Sequence, residues 1–241
     1  MAIGKNNSMV GVGGLPQFTY TGTYQLIDDV GRNWRIKFLT GGTLTFTKAP
    51  GYIDVFLVGG GGGPGNAASG NGRSGSGGAG GYTLTSVFDP QELVGYPIVI
   101  GAGGDTLIDG GATSAFGFLV NGGAHGSGDG STGTGWNGGD GGSGGGAGSR
   151  QEGSSVGGTD GSDGGASTAA TVTGLPGVGQ GTTTREFGDA NGQLYAKGGG
   201  AQQLPQGAQP ANTGNGGNGG LNIAGFPGGS GIVVIRNHRA A

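Results

Sequence analysis

Between Asn137 and Gly148 the chain reads NGGDGGSGGGAG, a stretch with only four residues that are not glycine. Such a stretch has no side chains with which to build a core. Glycine also loses more conformational freedom on folding than any other residue. An ordinary helix or a half-buried strand is therefore a poor expectation. Asp140 and Ser143 stand three apart, as do Asp160 and Asp163, and Asn215 and Asn218. Three residues per turn is the period of the extended left-handed helix, which forms no internal hydrogen bonds. Its N–H and C=O groups point outward and need partners. Bare glycine faces allow neighbouring helices to approach until their backbones bond to one another. The spacing predicts a packed bundle of polyglycine II helices, with the third residues on an exposed stripe. Gly141 and Gly144 then sit on contact faces, and Ser143 on the stripe.

Blocks of this kind recur from Gly59 to Gly231, and 69 of the 241 residues are glycine. Ordering a backbone costs about 1–2 kcal/mol per residue, and a hydrogen bond returns about 0.5–1.5 kcal/mol. An isolated block is therefore disordered, and only a cooperative bundle with anchored ends breaks even. The anchors are legible. NWRIKFLT alternates Trp34, Ile36 and Phe38 with Arg35 and Lys37, the pattern of a half-buried strand. TLTFT follows across Thr40-Gly41-Gly42, and QFTYTGTYQLI turns at Gly22; both read as hairpins. The continuous apolar runs YIDVFLV (52–58) and GIVVIRN (231–237) read as central strands. They bracket the glycine body, which predicts that they pair in one sheet. Further strands are expected in 82–87, 96–100, 115–120 and 193–197, with little or no α-helix. The resulting division has an N-terminal attachment segment (1–16), a β region (17–58 completed by 231–241) and the glycine bundle with exposed loops (59–230).

Several chemistries are set aside. The net charge of −3 supplies no basic footprint for nucleic acid. No run has the length of a membrane-spanning helix, and the start lacks an apolar signal region. Cysteine is absent. GGGGGPG (59–65) is not followed by the GK[ST] of a phosphate loop. GSGDGSTGTG and GTDGSDGG echo calcium-binding repeats without their large aliphatic position, so Asp129, Asp140, Asp160 and Asp163 read as solvated carboxylates. The two histidines, His125 and His238, form no set that points to catalysis. The expectation is a protein that is not an enzyme and has no cofactor or metal.

The ordered series IDVFLVGGGGGPG, GGAGGYT, YPIVIGAGG, GGDGGSGGG, LYAKGGGA, ANTGNGGNGG and GGSGIVVIRN resembles a glycine-rich domain common in bacteriophage tail and prophage structural proteins. The likeness covers residues 17–241. A related arrangement occurs in the adhesins at the tips of T-even phage tail fibres, where packed polyglycine helices carry variable loops. The resemblance implies a virion protein of the tail or a surface appendage, whose rigid scaffold presents loops to a host. The partners so implied are other tail proteins and a bacterial surface receptor, protein or glycan, with homo-oligomerisation left open. The alternatives are a purely structural role in a tail or capsid decoration, and ice binding. The polar interruptions 124–137, 149–156, 166–173 and 201–213 are the candidate loops. His125, Trp136, Arg150 and Gln151 carry the most contact chemistry in them and are the candidate receptor-binding residues. Capping the end of the bundle is the competing role for Trp136.

Overall fold

The computed structural model describes residues 2–5, 14–29, 33–66, 74–128, 136–148, 154–168, 175–177, 179–180, 184–201, 207–220 and 223–239. It is mostly β. One antiparallel sheet has the order β1 (Ala2–Lys5), β3 (Thr23–Asp29), β4 (Asn33–Phe38), β13 (Ile232–Asn237), β6 (Ile53–Val58), β7 (Thr83–Phe88). A second has the order β10 (Phe118–Val120), β9 (Thr113–Ala115), β8 (Gly95–Val99), β5 (Gly42–Lys48), β2 (Gln17–Tyr20). A short pair, β11 (Ser154–Ser155) and β12 (Ser167–Thr168), lies apart from them. The helical content among the described residues is one 3-10 turn, Glu186–Gly188.

The alternation in the sequence becomes two facing layers. Trp34, Ile36 and Phe38 of β4 point inward with Tyr24, Val55, Leu57, Val233 and Ile235. Phe18, Tyr20, Leu44, Phe46, Tyr96 and Ile98 meet them from the second sheet. Ring pairs stitch the layers together: Phe18 and Tyr24 lie 5.1 Å apart edge to face, and Tyr20 and Phe38 are 4.7 Å apart. Such pairs each add about 0.5–1.5 kcal/mol beyond area burial.

The bracketing runs do pair. β13 runs antiparallel to β6 from Ile232↔Val58 to Asn237↔Ile53, and its other edge takes β4. The two expected hairpins do not form. β2 and β3 belong to different sheets, and so do β4 and β5. Each short glycine link is a corner that carries the chain across the sandwich. The two corners lie against each other. A Cβ on Gly22 would press on the Gly41 carbonyl, and one on Gly42 on the Gly22 nitrogen. Periodicity cannot separate a hairpin from a corner, because both leave the inward alternation intact. The sheets also take in four strands from beyond residue 59, β7, β8, β9 and β10. Within them, 115–120 is a tight hairpin whose turn, Phe116-Gly117, has φ of 55° and 81°. Two positive φ values mark the turn type that matches strand twist. Residues 193–197 form no strand beyond a single bridge, Arg185↔Leu194.

The outer face of the larger sheet is covered by residues 184–196. Phe187, Tyr195 and Ala196 pack on Phe56, Val58, Ile232 and Val234. Beside this apolar patch lies an ionic one. Glu186, 1% exposed, accepts from Arg35 at 2.5 Å and from Tyr195 Oη at 2.8 Å, and Lys37 Nζ lies 2.7 Å from it. Arg236 donates to Asp54 at 2.8 Å and to Asp189 at 2.6 Å. Phe187 has φ of 57°, a backbone state that costs about 1–3 kcal/mol for a non-glycine residue. It is held there between Phe56 and the Arg236 guanidinium, 4.2 Å from its ring centre.

Candidate functional site

The chain leaves β6 directly into Gly59–Gly65, which is buried throughout. Its hydrogen bonds run in steps of three. Gly59, Gly62 and Gly65 donate to Tyr82, Ala79 and Ser76. Gly60 and Gly63 donate to Gly111 and Ile108, and Gly61 to Gly229. The carbonyls of Gly60 and Gly63 accept from Gly123 and Gly126. Those of Gly61 and Pro64 accept from Gly104 and Leu107, and that of Gly62 from Gly217. One stretch is thus surrounded by six others. Residues 74–82 repeat the arrangement: Gly75, Gly78 and Gly81 donate to Gly220, Gly217 and Gly214. So do Gly138, Gly141, Gly144 and Ala147, which donate to Val156, Thr159, Ser162 and Gly165. Pro64, which has no N–H, occupies a position whose nitrogen donates to nothing.

The residues three apart do not form one exposed stripe. Ser143 is fully buried, and its hydroxyl donates to the Ala196 carbonyl. The Asx residues act as acceptors at the rim. Asn215 Oδ1 accepts from Lys197 N while Gly216 N donates to Lys197 O. Asn218 and Gly219 hold both backbone groups of Gly200 in the same way. Asn137 and Gly138 so hold Val156, and Asp140 and Gly141 hold Thr159. Each Asx–Gly pair thus clamps one residue of the next segment, its side-chain oxygen replacing a carbonyl that no further segment supplies. Asn215→Ala and Asn218→Ala should each cost about 0.5–1.5 kcal/mol, the net worth of one hydrogen bond. Urea melts read this, with exposed Asp163→Ala as the control; equal midpoints would refute the clamp.

The ends of these segments away from the sheets come together. Gly65 donates to Ser76, Ser76 Oγ to Ser127 O, and Ser127 N to Asn137 O. Gly148 donates to Trp136, Gly75 to Gly220 and Gly219 to Gly200. The flanks of 67–73, 129–135, 149–153, 202–206 and 221–222 therefore lie at one end. His125 stands near it, partly exposed. Its Nδ1 lies 2.6 Å from Asp109 Oδ1, which also accepts from His125 N at 2.8 Å. The backbone N–H of His125, then its ring, hold the Asp109 carboxyl below the ordinary carboxylate range. Trp136 corrects the expectation of an exposed ring: it is 5% exposed, packed at the ends of the glycine segments. Arg150 and Gln151 lie outside the described residues. Asp140 Oδ1 is taken up by Thr159 N and Oγ1. Asp160 accepts from Tyr82 Oη at 2.8 Å, and burial together with that carboxylate pushes the Tyr82 phenol up to about 12.

A family model described as a glycine-rich domain matches residues 39–238, well over half of the chain. The chain belongs to the glycine-rich domain family. No curated protein matches it. In this glycine-rich domain the match begins just after β4, in the corner that leads to β5, and ends just beyond β13, so it takes in strands of both sheets and the glycine segments together. Sequence reasoning missed the Asp109 partner of His125 and the acceptor role of the Asx–Gly pairs. The repeated NGGDGG and NGGNGG were the available signal for the second. Nothing local marks the first, because Asp109 and His125 meet only through adjacent segments.

Proposed function

We propose that this glycine-rich domain is a non-enzymatic virion component of a phage tail or fibre tip, working as a rigid scaffold that presents loops to a host surface. In this reading the glycine segments are left-handed three-fold polyglycine II helices. The observation that carries it is the step of three in the hydrogen bonds of Gly59–Gly65, since a three-residue turn returns each amide to the same neighbour. A scaffold held by backbone bonds places few demands on loop sequence, which suits recognition by variable loops. The contact residues proposed are His125, Arg150 and Gln151, while the buried Trp136 is assigned a supporting role. The partners are a bacterial surface protein or glycan and neighbouring tail proteins.

Backbone amides across Gly138–Gly148 should exchange slowly; uniformly fast exchange would remove the scaffold. The double variant His125→Ala/Arg150→Ala should weaken binding to a susceptible host about tenfold, the effect of losing one or two contact hot spots, while the melting temperature stays put. Unchanged binding to every host in a panel would leave the loops without this role. The burial of Trp136 favours a second reading, a purely structural tail or decoration protein. Electron microscopy of the particle separates the two, because an internal position forbids host contact. Ice binding has less support, since the exposed Asp140, Asp160 and Asp163 break up any uniform small-residue face.

A further inference from the structure

The Asx–Gly clamps carry a chemical consequence that is independent of the host-recognition reading. Five Asn–Gly pairs lie among the described residues: 121–122, 137–138, 191–192, 215–216 and 218–219. Asn–Gly is the dipeptide most prone to spontaneous deamidation. The glycine nitrogen attacks the asparagine Cγ, the Cγ–Nδ2 bond breaks, and ammonia leaves with the proton from the glycine N–H. Water then opens the succinimide at either carbonyl, giving aspartate or isoaspartate. The side-chain amide must swing onto the glycine nitrogen and the backbone must bend, so the reaction is suppressed where the glycine N–H and the asparagine side chain are both held by a neighbouring segment.

In three pairs both reacting groups are occupied. Gly138, Gly216 and Gly219 donate their N–H to Val156, Lys197 and Gly200. The oxygens of Asn137, Asn215 and Asn218 accept from the N–H of those same three residues. Succinimide closure would have to break both bonds at once and pull the segment off its neighbour. The other two pairs lack this two-point hold. Asn121 is exposed, and no hydrogen bond reaches its side chain or the Gly122 N–H among the described residues. Asn191 is exposed in a turn, and Gly192 N makes one bond, to Asp189 O at 2.7 Å.

We infer that Asn121 and Asn191 are sites of spontaneous deamidation and isoaspartate formation in the folded protein, and that the clamps hold Asn137, Asn215 and Asn218 chemically inert. Modification at Asn121 would place a negative charge, and in the isoaspartate product an extra main-chain methylene as well, where β10 passes into the glycine segments. Its carbonyl accepts from Tyr82 N there.

The test ages the full chain at mildly alkaline pH and follows each pair by peptide mass mapping, with isoaspartyl methyltransferase labelling to detect the isomer. Conversion at Asn121 and Asn191 should outpace the clamped three by about tenfold or more, as two hydrogen bonds broken together imply. A parallel incubation in denaturant should bring all five to similar rates. If the clamped pairs convert as fast as the others in the native protein, the protection does not exist. If Asn121 or Asn191 stays as inert as the clamped three, its assignment fails. If the ranking persists in denaturant, local sequence causes it and the clamps do not.

Discussion

Gly62→Ala is expected to remove the folded state or to cost about 3 kcal/mol or more, the upper range for forcing atoms into a packed interior. Gly62 donates to Ala79 and accepts from Gly217. A methyl group there would fall on the carbonyls of Ala124 and Gly123, well inside contact distance. Those neighbours cannot retreat singly. Ala124 O already accepts from Ala79, and Gly123 O from Gly110, so a shift would break bonds in several segments. For a domain whose whole stability is about 5–15 kcal/mol, such a loss is severe. Gly207→Ala is the matched control, because a Cβ there meets nothing within 4 Å. Urea denaturation of both variants checks the expectation. Equal stabilities would mean that the glycine segments do not touch as described. Gly144→Val should behave like Gly62→Ala, since its side chain would meet the Gly158 carbonyl.

Replacing Glu186 with Gln should cost about 3–5 kcal/mol, the usual penalty for removing one partner from a buried charge cluster. Arg35, Lys37 and Tyr195 converge on this carboxylate, and the substitution leaves two cations facing a neutral amide. The same cluster predicts an acid response. Burial alone would raise the Glu186 pKa, but the bonds from Lys37, Tyr195 and Arg35 overcome it and hold the group below its ordinary value. Asp29 behaves alike: burial opposes ionisation, and Arg35 and Arg239 outweigh it. A carboxylate depressed in the folded state stabilises fully above its unfolded pKa and loses that contribution as pH falls through the folded one. Stability should therefore be flat from neutral pH down to about pH 5 and fall steeply below about pH 4. Glu186→Gln should flatten part of that fall. An unchanged acid limb would show that other groups govern it.

Glu186 also marks where reading the residues in order stops. It lies between the blocks TTTR and FGDANGQ with no periodic pattern to call it buried, and its partners on β4 are some 150 residues earlier in the chain. Trp136 is a similar case: flanked by GTG and NGG it looked as fit for a loop tip as for a cap, and only packing put its ring inside. The strands were more accessible. Alternation in NWRIKF and continuous apolar runs in IDVFLV and IVVIRN are local consequences of which faces are buried, so β4, β6 and β13 could be found in advance and β6 placed with β13, whereas the pairing of β4 with β13 could not.

Composition and spacing decided that this chain must order its glycine through backbone bonds between segments, because too few side chains remain for any other core. They also decided that the two apolar runs would anchor those segments. Tertiary structure alone decided which sheet each strand entered, since a glycine corner and a glycine hairpin carry the same local pattern. It also decided that Asx residues three apart would face a neighbour's amide rather than water. That choice depends on whether another segment fills the adjoining position, and the filling segment comes from a distant part of the chain.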